Sequence, residues 1–314
     1  MRLTLRQLQI FRAIALSGST TAAADTVALS QSATSAALNE LERALETRLF
    51  DRVGKRLILN DTGRGLLPAA LAVLDGAKSI EATRAFGDQA PPMDLRLFAS
   101  TTIGNYILPR MLAGFAKQLP IAQLQLNIGN TQDVISAVQE FTADLGWIEG
   151  PCHASDMRVT PLWEDELVIV AAPKHPLARP AGRQRLTAEQ LSQAQWLLRE
   201  PGSGTREAVE HALRPHLQRI RSNMTLGSSE AIKYAAAAGL GLSCLSRYVV
   251  QDLVAAKRLT VLATRLPRLT RRFALIYPET KVLSNSLRRF VAYCERYDGT
   301  ESALPDDPRF PGAS

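Results

Sequence analysis

The chain has 314 residues and a mass of 34.3 kDa, with 46% hydrophobic and 21% charged residues, which is the composition of an ordinary globular protein. Its longest near-continuous apolar stretch, Tyr234–Leu245, is shorter than the roughly 20 residues that span a bilayer. Arg2, Arg6 and Arg12 also interrupt the first apolar segment, which argues against a cleaved export signal. We therefore expect a cytoplasmic protein of two or three domains with no membrane partner. The net charge of +7 is compatible with a nucleic-acid partner but does not require one.

The cysteines and histidines do not predict a metal site. Three widely spaced cysteines cannot form a disulfide framework or a four-ligand zinc site, and only Cys152 and His153 are adjacent. A thiol beside a loop histidine explains that pair better than a metal ion does. The sequence also lacks a Walker loop, a nucleophile elbow, a His-Glu-x-x-His motif and a Cys-x-x-Cys motif. We predict no catalytic residues, no metal and no cofactor, and an enzyme with an unrecognised site stays as an alternative.

Three short helices are predicted in close succession at the start of the chain. The Thr4–Gln7 segment has the pattern of a capping box, and apolar residues then recur at helical spacing. Ser17-Gly18-Ser19 ends that helix, a second helix follows over Thr20–Val27, and a third lies between Ser30 and about Glu46. Short helices joined by tight turns are the pattern of a helix-turn-helix unit.

The third helix has an apolar face and an adjacent polar arc. We expect the apolar face to be buried, and its members are Ala33, Ala37, Leu38, Leu41 and Leu45. The polar arc consists of Gln31, Ser32, Ser35 and Asn39. Short hydrogen-bonding side chains at a helix N-terminus fit insertion into the major groove of DNA. An ordinary solvated face explains this arc equally well when it is considered alone.

The segment after the third helix favours DNA binding. Two short apolar runs within Leu49–Leu59 flank a Gly54-Lys55-Arg56 turn, which predicts a β-hairpin with a basic tip. Such a wing reaches phosphates or the minor groove, and its candidate contacts are Arg52, Lys55 and Arg56. A helix-turn-helix followed by a basic wing predicts a double-stranded DNA partner.

A long helix and a linker follow the hairpin. The helix runs from about residue 61 to residue 86, and Gly87–Pro92 has the composition of a linker. A heptad-like stripe on the helix suits a partner helix, and it consists of Leu67, Ala70, Leu74 and Ala77. This stripe predicts a dimer.

Strands and helices alternate from Met93 onward, which predicts a mostly parallel sheet arranged in two α/β lobes with a cleft. The predicted strands are Leu95–Ala99, Leu124–Ile128, Leu145–Ile148, Leu167–Ala171, Trp196–Leu198, Leu242–Leu245 and Phe273–Tyr277. Residues 299–314 contain three prolines and few apolar residues, and we expect a disordered tail there.

Several strand-to-helix junctions carry hydroxyl, amide or glycine residues. They are Ser100–Thr102, Gly129–Gln132, Gly202–Thr205 and Gly227–Ser229. Ligands collect at the carboxyl ends of parallel strands, and helix N-termini there favour negative charge, so we predict a small anionic ligand. Each junction taken alone is better explained as an N-cap, and only the recurrence of the pattern favours a ligand cleft. The candidate effector residues are Ser100, Thr101, Thr102, Gln132, Glu149, Ser203 and Thr205. Glu149 would repel a dianion unless one of the two carries a proton.

The chain resembles the LysR-type transcriptional regulators. The resemblance is most specific in residues 1–64, and it is carried by Leu5-Arg6-Gln7-Leu8, Gly18-Ser19, Ala23-Ala24, Leu29-Ser30-Gln31-Ser32-Ala33, Leu41-Glu42, Leu49-Phe50-Asp51-Arg52 and Gly63. It extends to about Tyr297. The segments Thr101–Pro109, Gly129–Asp133, Ile148–Cys152 and Gly202–Glu207 look most like the members of the family that are linked to sulfite metabolism.

The resemblance implies a fold and a domain order. It implies a winged helix-turn-helix in residues 1–60, a dimerising linker helix in 61–86, a hinge in 87–92 and a two-lobed α/β effector-binding domain, similar to periplasmic binding proteins, in 93–298. Lobe I would comprise 93–166 and 270–298, and lobe II would comprise 167–269. The chain would cross between lobes near Glu166 and return near Arg265–Arg272. A homotetramer on operator DNA is also implied.

The sequence is therefore interpreted as a DNA-binding regulator whose promoter contacts change with a small anion. Sulfite is suggested by the resemblance alone, because residue spacing does not separate it from sulfate, phosphate or a small carboxylate. The alternatives are a solute-binding protein, since the lobes would look alike, and an enzyme. The helical N-terminal segment argues against the first, and no nucleophile–base set supports the second.

Overall fold

A computed structural model describes residues 3–54, 56–86, 93–178, 185–217 and 219–297. Lys55, the predicted hinge 87–92 and the predicted tail 299–314 lie outside this part of the chain. The chain forms two compact units. The first includes the residues up to Met93 together with Leu119–Ala122 and Pro278–Ala292, and the second contains most of the effector segment. None of the described helices combines the length and apolarity that a membrane span requires.

The first unit begins with three helices, a hairpin and a long helix. The helices are α1 (Leu5–Ser17), α2 (Thr20–Val27), α3 (Gln31–Ala44) and α4 (Asp61–Phe86), and the hairpin strands are β1 (Phe50–Val53) and β2 (Arg56–Leu59). The predicted Thr4–Gln7 capping box is present at the start of α1. Gly18 ends α1 with a φ of 65°, a left-handed conformation that glycine adopts without strain. Phe11, Ile14 and Leu41 are fully buried between the helices.

The buried face of α3 differs from the predicted one. Ala33 is exposed, whereas Thr34 and Glu42 are buried beside Leu38 and Leu41. Thr34 is buried because its hydroxyl donates to the carbonyl of Ser30 at 3.0 Å. Glu42 is buried because its carboxylate accepts hydrogen bonds from the segment that leads into the hairpin. Two polar side chains with hydrogen-bond partners therefore lie on the buried face, and the expected Ala33 does not.

The second unit has more strands than the sequence predicts. Its strands are β3 (Met93–Ser100), β4 (Ile121–Gly129), β5 (Leu145–Glu149), β6 (Met157–Ala171), β7 (Gln195–Arg199), β8 (Arg221–Leu226), β9 (Ser243–Ser246), β10 (Thr260–Val261) and β11 (Leu269–Pro278). Its helices are α5 (Thr101–Tyr106), α6 (Leu108–Ala116), α7 (Thr131–Gln139), α8 (Ala188–Gln193), α9 (Gly204–Leu213), α10 (Ser229–Ala237) and α11 (Arg247–Ala255). The last helix, α12 (Asn285–Arg296), belongs to the first unit as far as Ala292 and to the second unit after it.

The large sheet is mixed, not mostly parallel. Its strand order is β10-β6-β11-β5-β3-β4, with β9 also paired to β6, while β7 and β8 form a separate parallel pair. Strand β3 runs parallel to β5, but β11 runs antiparallel to β5, and β6 runs antiparallel to β9 and β10. The two longest strands of this sheet, β6 with 15 residues and β11 with 10, each take part in antiparallel pairs.

The buried residues of the second unit divide into separate cores. One core packs α7 on β5 and β11, with Val134, Val138 and Ile276 fully buried. The others surround the inner half of β6 with α9, α10 and α11, and they contain Trp196 and Val249. We refer to these regions as the first lobe and the second lobe. Strands β6 and β11 lie in the sheet between them, so residues on these strands are placed to contact both lobes.

Candidate functional sites

The N-terminal half of α3 presents most of the predicted polar arc. Ser30 caps the helix by accepting a hydrogen bond from the Ala33 backbone at 3.2 Å. Gln31, Ser32 and Asn39 are exposed, and Ser35 is half-buried. The structure therefore leaves three of the four predicted base-reading side chains accessible.

The amide of Gln31 is oriented by a neighbouring helix. Its Nε2 donates to Thr20 Oγ1 at 3.1 Å, which leaves the amide oxygen and one N–H for another partner. A glutamine amide with both a donor and an acceptor free can pair with the major-groove edge of adenine. Fixing the side chain in advance reduces the entropy lost when that pair forms.

The hairpin is tied to the helices on both sides. The buried carboxylate of Glu42 accepts hydrogen bonds from the Leu49 backbone at 2.8 Å and from Arg48 at 3.1 Å. The Leu57 backbone N–H donates to the carbonyl of Gly18 at 2.9 Å. These bonds fix the position of the hairpin relative to α3 and to the end of α1.

The hairpin turn presents basic side chains to solvent. Val53 pairs with Arg56, so the turn contains two residues and begins at Gly54, whose φ is 61°. Arg52 and Arg56 are exposed, as backbone contacts to DNA require. Lys55, the third predicted wing contact, lies outside the described residues.

A buried arginine in the second unit brings several predicted effector residues together. Arg271, on β11, is 6% exposed, and its Nε donates to Asp165 Oδ2 at 2.7 Å. Its Nη1 donates to Glu149 Oε2 at 2.6 Å and to Thr205 Oγ1 at 2.8 Å. Its Nη2 donates to Thr102 Oγ1 at 3.1 Å. One guanidinium thus connects β5, β6, α5 and α9.

The two carboxylates beside Arg271 have further donors. Glu149 Oε1 accepts a hydrogen bond from the Thr102 backbone at 2.7 Å, and Glu149 Oε2 accepts one from the Thr205 hydroxyl at 2.6 Å. Asp165 Oδ1 accepts a hydrogen bond from the Ser246 hydroxyl at 2.7 Å. Buried charges with this many partners are satisfied, so the cluster is a stable part of the fold.

The same surroundings shift the two carboxyl groups in opposite directions. Burial acts to raise the pKa of Glu149, but attraction to Arg271 and hydrogen bonds from Thr205 and Thr102 outweigh it, so this pKa lies below its ordinary value. Burial raises the pKa of Asp165 above its ordinary value despite the attraction to Arg271, and the Glu149 carboxylate acts in the same direction. The Arg271–Glu149 pair is therefore ionised, and Asp165 is the group that takes up a proton more readily.

A second buried arginine lies on the other side of α5. Arg199 is 3% exposed, and its Nη1 donates to Thr101 Oγ1 at 2.9 Å and to Ser229 Oγ at 2.7 Å. The remaining guanidinium nitrogens contact Glu200 at 2.7 and 2.8 Å. Thr101, a predicted effector residue, therefore accepts a hydrogen bond from Arg199, which was not among the predicted residues.

Ser100 is the predicted residue whose side chain is left without a partner. It is 2% exposed at the end of β3, and its Oγ has no hydrogen-bond partner among the described residues. It lies near enough to Glu149 to favour the ionised carboxylate, but the geometry is not that of a hydrogen bond. A buried hydroxyl without a partner costs free energy that a bound acceptor would recover.

The remaining predicted effector residues have other roles in the structure. Ser203 is buried and caps α9, where its Oγ accepts a hydrogen bond from the Arg206 backbone. Gln132 is exposed, and its backbone N–H donates to the carbonyl of Gly202 at 3.2 Å. The capping interpretation therefore describes Ser203, while Gln132 contributes a backbone contact between the two lobes.

Two additional polar contacts join the lobes. Lys233 Nζ, on α10, donates to the Tyr106 hydroxyl of α5 at 3.1 Å. His153 Nε2 lies 2.8 Å from Glu207 Oε1 of α9. His153 is thus a loop histidine with a carboxylate partner, and no His, Cys, Asp and Glu group that could hold a metal ion occurs in the described part of the chain.

Comparisons with known proteins match both units of the chain. Residues 5–64 match the model for bacterial regulatory helix-turn-helix proteins of the lysR family, and residues 88–298 match the model for the LysR substrate binding domain. The chain is a LysR-type transcriptional regulator. It is 50% identical over 295 residues to the regulator YeiE of Escherichia coli (strain K12), covering 94% of this chain and 98% of YeiE. It is 33% identical over 270 residues to the regulator CysL of Bacillus subtilis (strain 168), covering 86% and 89%.

Solved structures of LysR-type regulators share the fold. A full-length point variant of OxyR from Pseudomonas aeruginosa superimposes with a TM-score of 0.74 at 20% identity, over 97% of this chain and 100% of that one. ArgP from Mycobacterium tuberculosis gives a TM-score of 0.69 at 18% identity, over 94% and 97%. These structures confirm the helix-turn-helix unit followed by a two-lobed α/β domain.

Membership in the LysR family decides between the function classes that the sequence left open. The matched family models describe a DNA-binding module and an effector-binding module, and the named relatives are transcriptional regulators. A regulator is therefore supported over an enzyme and over a free solute-binding protein. The α3–hairpin surface lies in the first matched segment, and the Arg199 and Arg271 clusters lie in the second.

Sequence reasoning missed both buried arginines of this LysR-type regulator, although one had a detectable signal. Arg271 alternates with Leu269 and Phe273, so it lies on the buried face of a strand whose next residue, Arg272, is exposed. A charged residue at a buried strand position indicates an internal ion pair. Arg199 has no such signal, because it is the last residue of the short strand β7.

Proposed function

We propose that this regulator binds operator DNA as a homodimer or homotetramer in the cytoplasm, and that a small oxyanion between the two lobes changes its promoter contacts. Sulfite is the first candidate, following the resemblance to the sulfite-linked members of the family. The observation that carries the anion proposal is the buried, unpartnered hydroxyl of Ser100. It lies at the junction that also contains Thr101 and Thr102, between the two buried arginines.

Hydroxyl donors near Ser100 support an anion over a cation. Thr102 Oγ1 accepts its hydrogen bond from Arg271, so it uses an oxygen lone pair and keeps its own O–H as a donor. Thr101 Oγ1 accepts from Arg199 and also lies 3.5 Å from Ser229 Oγ, where either hydroxyl can donate. Ser100 and Thr102 therefore offer two hydroxyl donors at one junction. Hydrogen bonds from such donors to a charged acceptor are roughly twice as strong as neutral ones.

The charge of the Arg271 cluster favours a protonated state when an anion binds. Arg271 offsets Glu149, which removes the repulsion that Glu149 alone would exert. The net charge of the cluster then depends on Asp165, and the cluster is neutral when Asp165 is protonated. The raised pKa of Asp165 favours this protonated state. We therefore propose that anion binding draws a proton onto Asp165 or that the ligand arrives as a singly charged species such as bisulfite.

Calorimetry of the full-length protein tests the anion proposal. Sulfite, sulfate, phosphate and acetate are titrated between about pH 6 and 8, and we expect sulfite to bind tightest and every anion to bind better at the lower pH. Ser100→Ala should weaken sulfite binding by about 10- to 100-fold, since it removes a hydrogen bond to a charged group. Ser136→Ala, on α7 in the same lobe, is the control. Equal binding of sulfite and sulfate would overturn the choice of sulfite, and an unaffected Ser100→Ala would overturn the site.

The structure corrects the helix face proposed for dimerisation. Helix α4 packs on α1 within the first unit, and most of the stripe that was predicted to form the dimer is buried within the single chain. Leu67, Ala70 and Leu74 are buried. A different row is exposed at spacings of four, three and four residues, namely Ala69, Val73, Gly76 and Ile80. This row, which we call the α4 seam, has heptad spacing and small residues for close helix contact, and we propose that it meets the same row of a second copy.

A charge on the α4 seam should separate the dimer. Ile80 is 75% exposed in the single chain, so Ile80→Lys should leave the fold intact but place a lysine in the helix–helix interface. We expect the variant to sediment at about half the mass of the parent species at micromolar concentration. Glu81→Lys, the adjacent exposed position, is the matched control. If both variants keep the parent mass, the seam is not the interface.

The effector unit offers a second surface for assembly. Edge strand β4 exposes Leu124 and Ile128 on one face, at 43% and 42%. Exposed apolar side chains on a strand at the edge of a sheet commonly mark a contact with another chain. We propose that this surface joins effector units of separate dimers into a tetramer.

The recognition helix and the wing should contribute differently to DNA binding. We expect Gln31→Ala to cost about 1–3 kcal/mol on the cognate operator and little on random DNA, because Gln31 is positioned to read a base. Arg56→Ala should weaken binding to both DNAs alike and flatten its salt dependence, because an exposed wing arginine contacts phosphates. Gel-shift titrations at several salt concentrations measure both effects. Indistinguishable losses for the two variants on both DNAs would contradict this division.

A further inference from the structure

A groove with arginines at its edge lies outside the cleft, on the second lobe. It has a volume of about 350 Å³ and is formed by α9, β7, β8 and the segment before β8. Leu198 and Leu217 are buried at its base beside the half-buried Ile220. Arg206, Arg214 and Arg219 line it as well. Ligand pockets commonly have volumes of about 300–1,000 Å³, so the groove can hold a small organic molecule.

The groove carries uncompensated positive charge. Arg206 is paired with Glu210, with Nε 2.8 Å from Oε1, and its Nη1 donates to the carbonyl of Arg199 at 3.1 Å. Arg214 and Arg219 are exposed, and neither has an acidic partner among the described residues. Three arginines against one glutamate leave two guanidinium charges available in one concave site.

Two free guanidinium groups beside an apolar base favour a particular ligand chemistry. Arginine binds phosphate and carboxylate oxygens through paired N–H donors, and two such groups suit a doubly charged head. Leu198, Leu217 and Ile220 offer a small apolar surface to a hydrocarbon body, and Ser222 and Thr225 add polar groups to the lining. The shape also argues against DNA, since duplex phosphates lie on a convex surface and do not require an apolar base.

We propose that this groove is a second ligand site, which takes a small organic phosphate. Its phosphate is held by Arg214 and Arg219, and its organic part packs on Leu198 and Leu217. The site is separate from the cleft but adjoins it along α9, where Thr205 contacts Glu149 and the next residue, Arg206, lines the groove. A ligand here would act on the helix that also forms part of the effector site.

Titration calorimetry with phenyl phosphate, which joins a dianion to an apolar ring, tests the proposal on the full-length protein. We expect saturable binding that is tighter than that of inorganic phosphate, and no binding of phenol. Arg214→Gln and Arg219→Gln should each weaken phenyl phosphate binding by about tenfold or more. Arg158→Gln, an exposed arginine on β6 outside the groove, is the matched control and should bind as the parent does.

A cleft variant separates this site from the effector proposal. Ser100→Ala should leave phenyl phosphate binding unchanged, so failure of the effector site and failure of the groove give different results. Absence of saturable binding, or equal losses in Arg158→Gln and the groove variants, would overturn the proposal. Loss of non-specific DNA binding in Arg214→Gln and Arg219→Gln, with phenyl phosphate binding intact, would also overturn it and identify the groove as a DNA contact.

Discussion

We expect Arg271→Met to lower the free energy of unfolding of the effector unit by about 3–5 kcal/mol. The substitution removes the cation that Glu149 and Asp165 share, and both of these residues are 1% exposed. A buried carboxylate without a cation is far more costly than a buried ion pair. Urea unfolding followed by circular dichroism measures the loss. Arg272→Met, the next residue on the same strand but on its exposed face, should change stability by less than about 0.5 kcal/mol.

The contribution of Glu149 to the pH dependence of stability should change sign in Arg271→Met. In the parent protein the pKa of Glu149 is lowered in the fold, so its contribution is present above the ordinary value of 4.5 and is lost as the pH falls below it. Without Arg271, burial dominates and raises the folded-state pKa of Glu149. Its contribution is then present at low pH and is lost as the pH rises through the new pKa. The variant should therefore gain more stability than the parent on acidification from about pH 7 to 5, because in the parent only Asp165 of the two carboxyl groups has a raised pKa. Parallel pH profiles for the two proteins would contradict the ion-pair interpretation.

We expect Gly204→Ala to destabilise the effector unit by about 3 kcal/mol or more and to abolish anion binding. A Cβ on Gly204 would overlap the carbonyl oxygen of Glu149 and lie 2.5 Å from Thr131 Oγ1. Backbone cannot move aside as a flexible side chain can, so the start of α9 must shift away from β5. That shift would withdraw Thr205 from Glu149 and Arg271.

A glycine in open space provides the control for Gly204→Ala. At Gly227, just before α10, an added Cβ would have no described atom within 4 Å, and the backbone is not in the left-handed region. Gly227→Ala should therefore be neutral or slightly stabilising. Thermal unfolding and sulfite calorimetry distinguish the two variants. If Gly204→Ala unfolds at the parent temperature and binds anions normally, the close approach of α9 to β5 is required neither for stability nor for anion binding.

The local elements of the DNA-binding unit were predictable because short-range chemistry specifies them. The Thr4–Gln7 box, Gly18 and Ser30 each act within a few residues, and the structure has α1, α2 and α3 where these signals place them. A hairpin turn at Gly54 was predicted in the same way, although Arg56 belongs to β2 and not to the turn. Which face of α3 is buried was less predictable, because Glu42 is buried only through bonds to the following segment.

The effector unit was predicted in outline and missed in part. Strands β3, β5 and β7 lie where apolar runs predict them, because β5 and β7 are buried on both faces and β3 has one fully buried face. Strand β8 was missed, since Arg221–Leu226 is largely polar and lies beside a single partner strand. The outer half of β6 was missed because it is mostly exposed and has no clear alternation.

By itself, the sequence determined the family, the order of the two modules, the recognition helix and the hydroxyl-bearing junction at Ser100–Thr102, because each depends on a motif or a pattern within a short segment. Tertiary structure alone decided which row of α4 residues is exposed and which charges meet in the Arg271 cluster. Arg271 lies 122 residues from Glu149 and 106 residues from Asp165 in the chain. Alternation along β11 shows that Arg271 is buried, but its partners depend on strands β5 and β6 lying beside β11 in the sheet. No local pattern encodes that pairing, because it results from burying the two lobe cores as a whole.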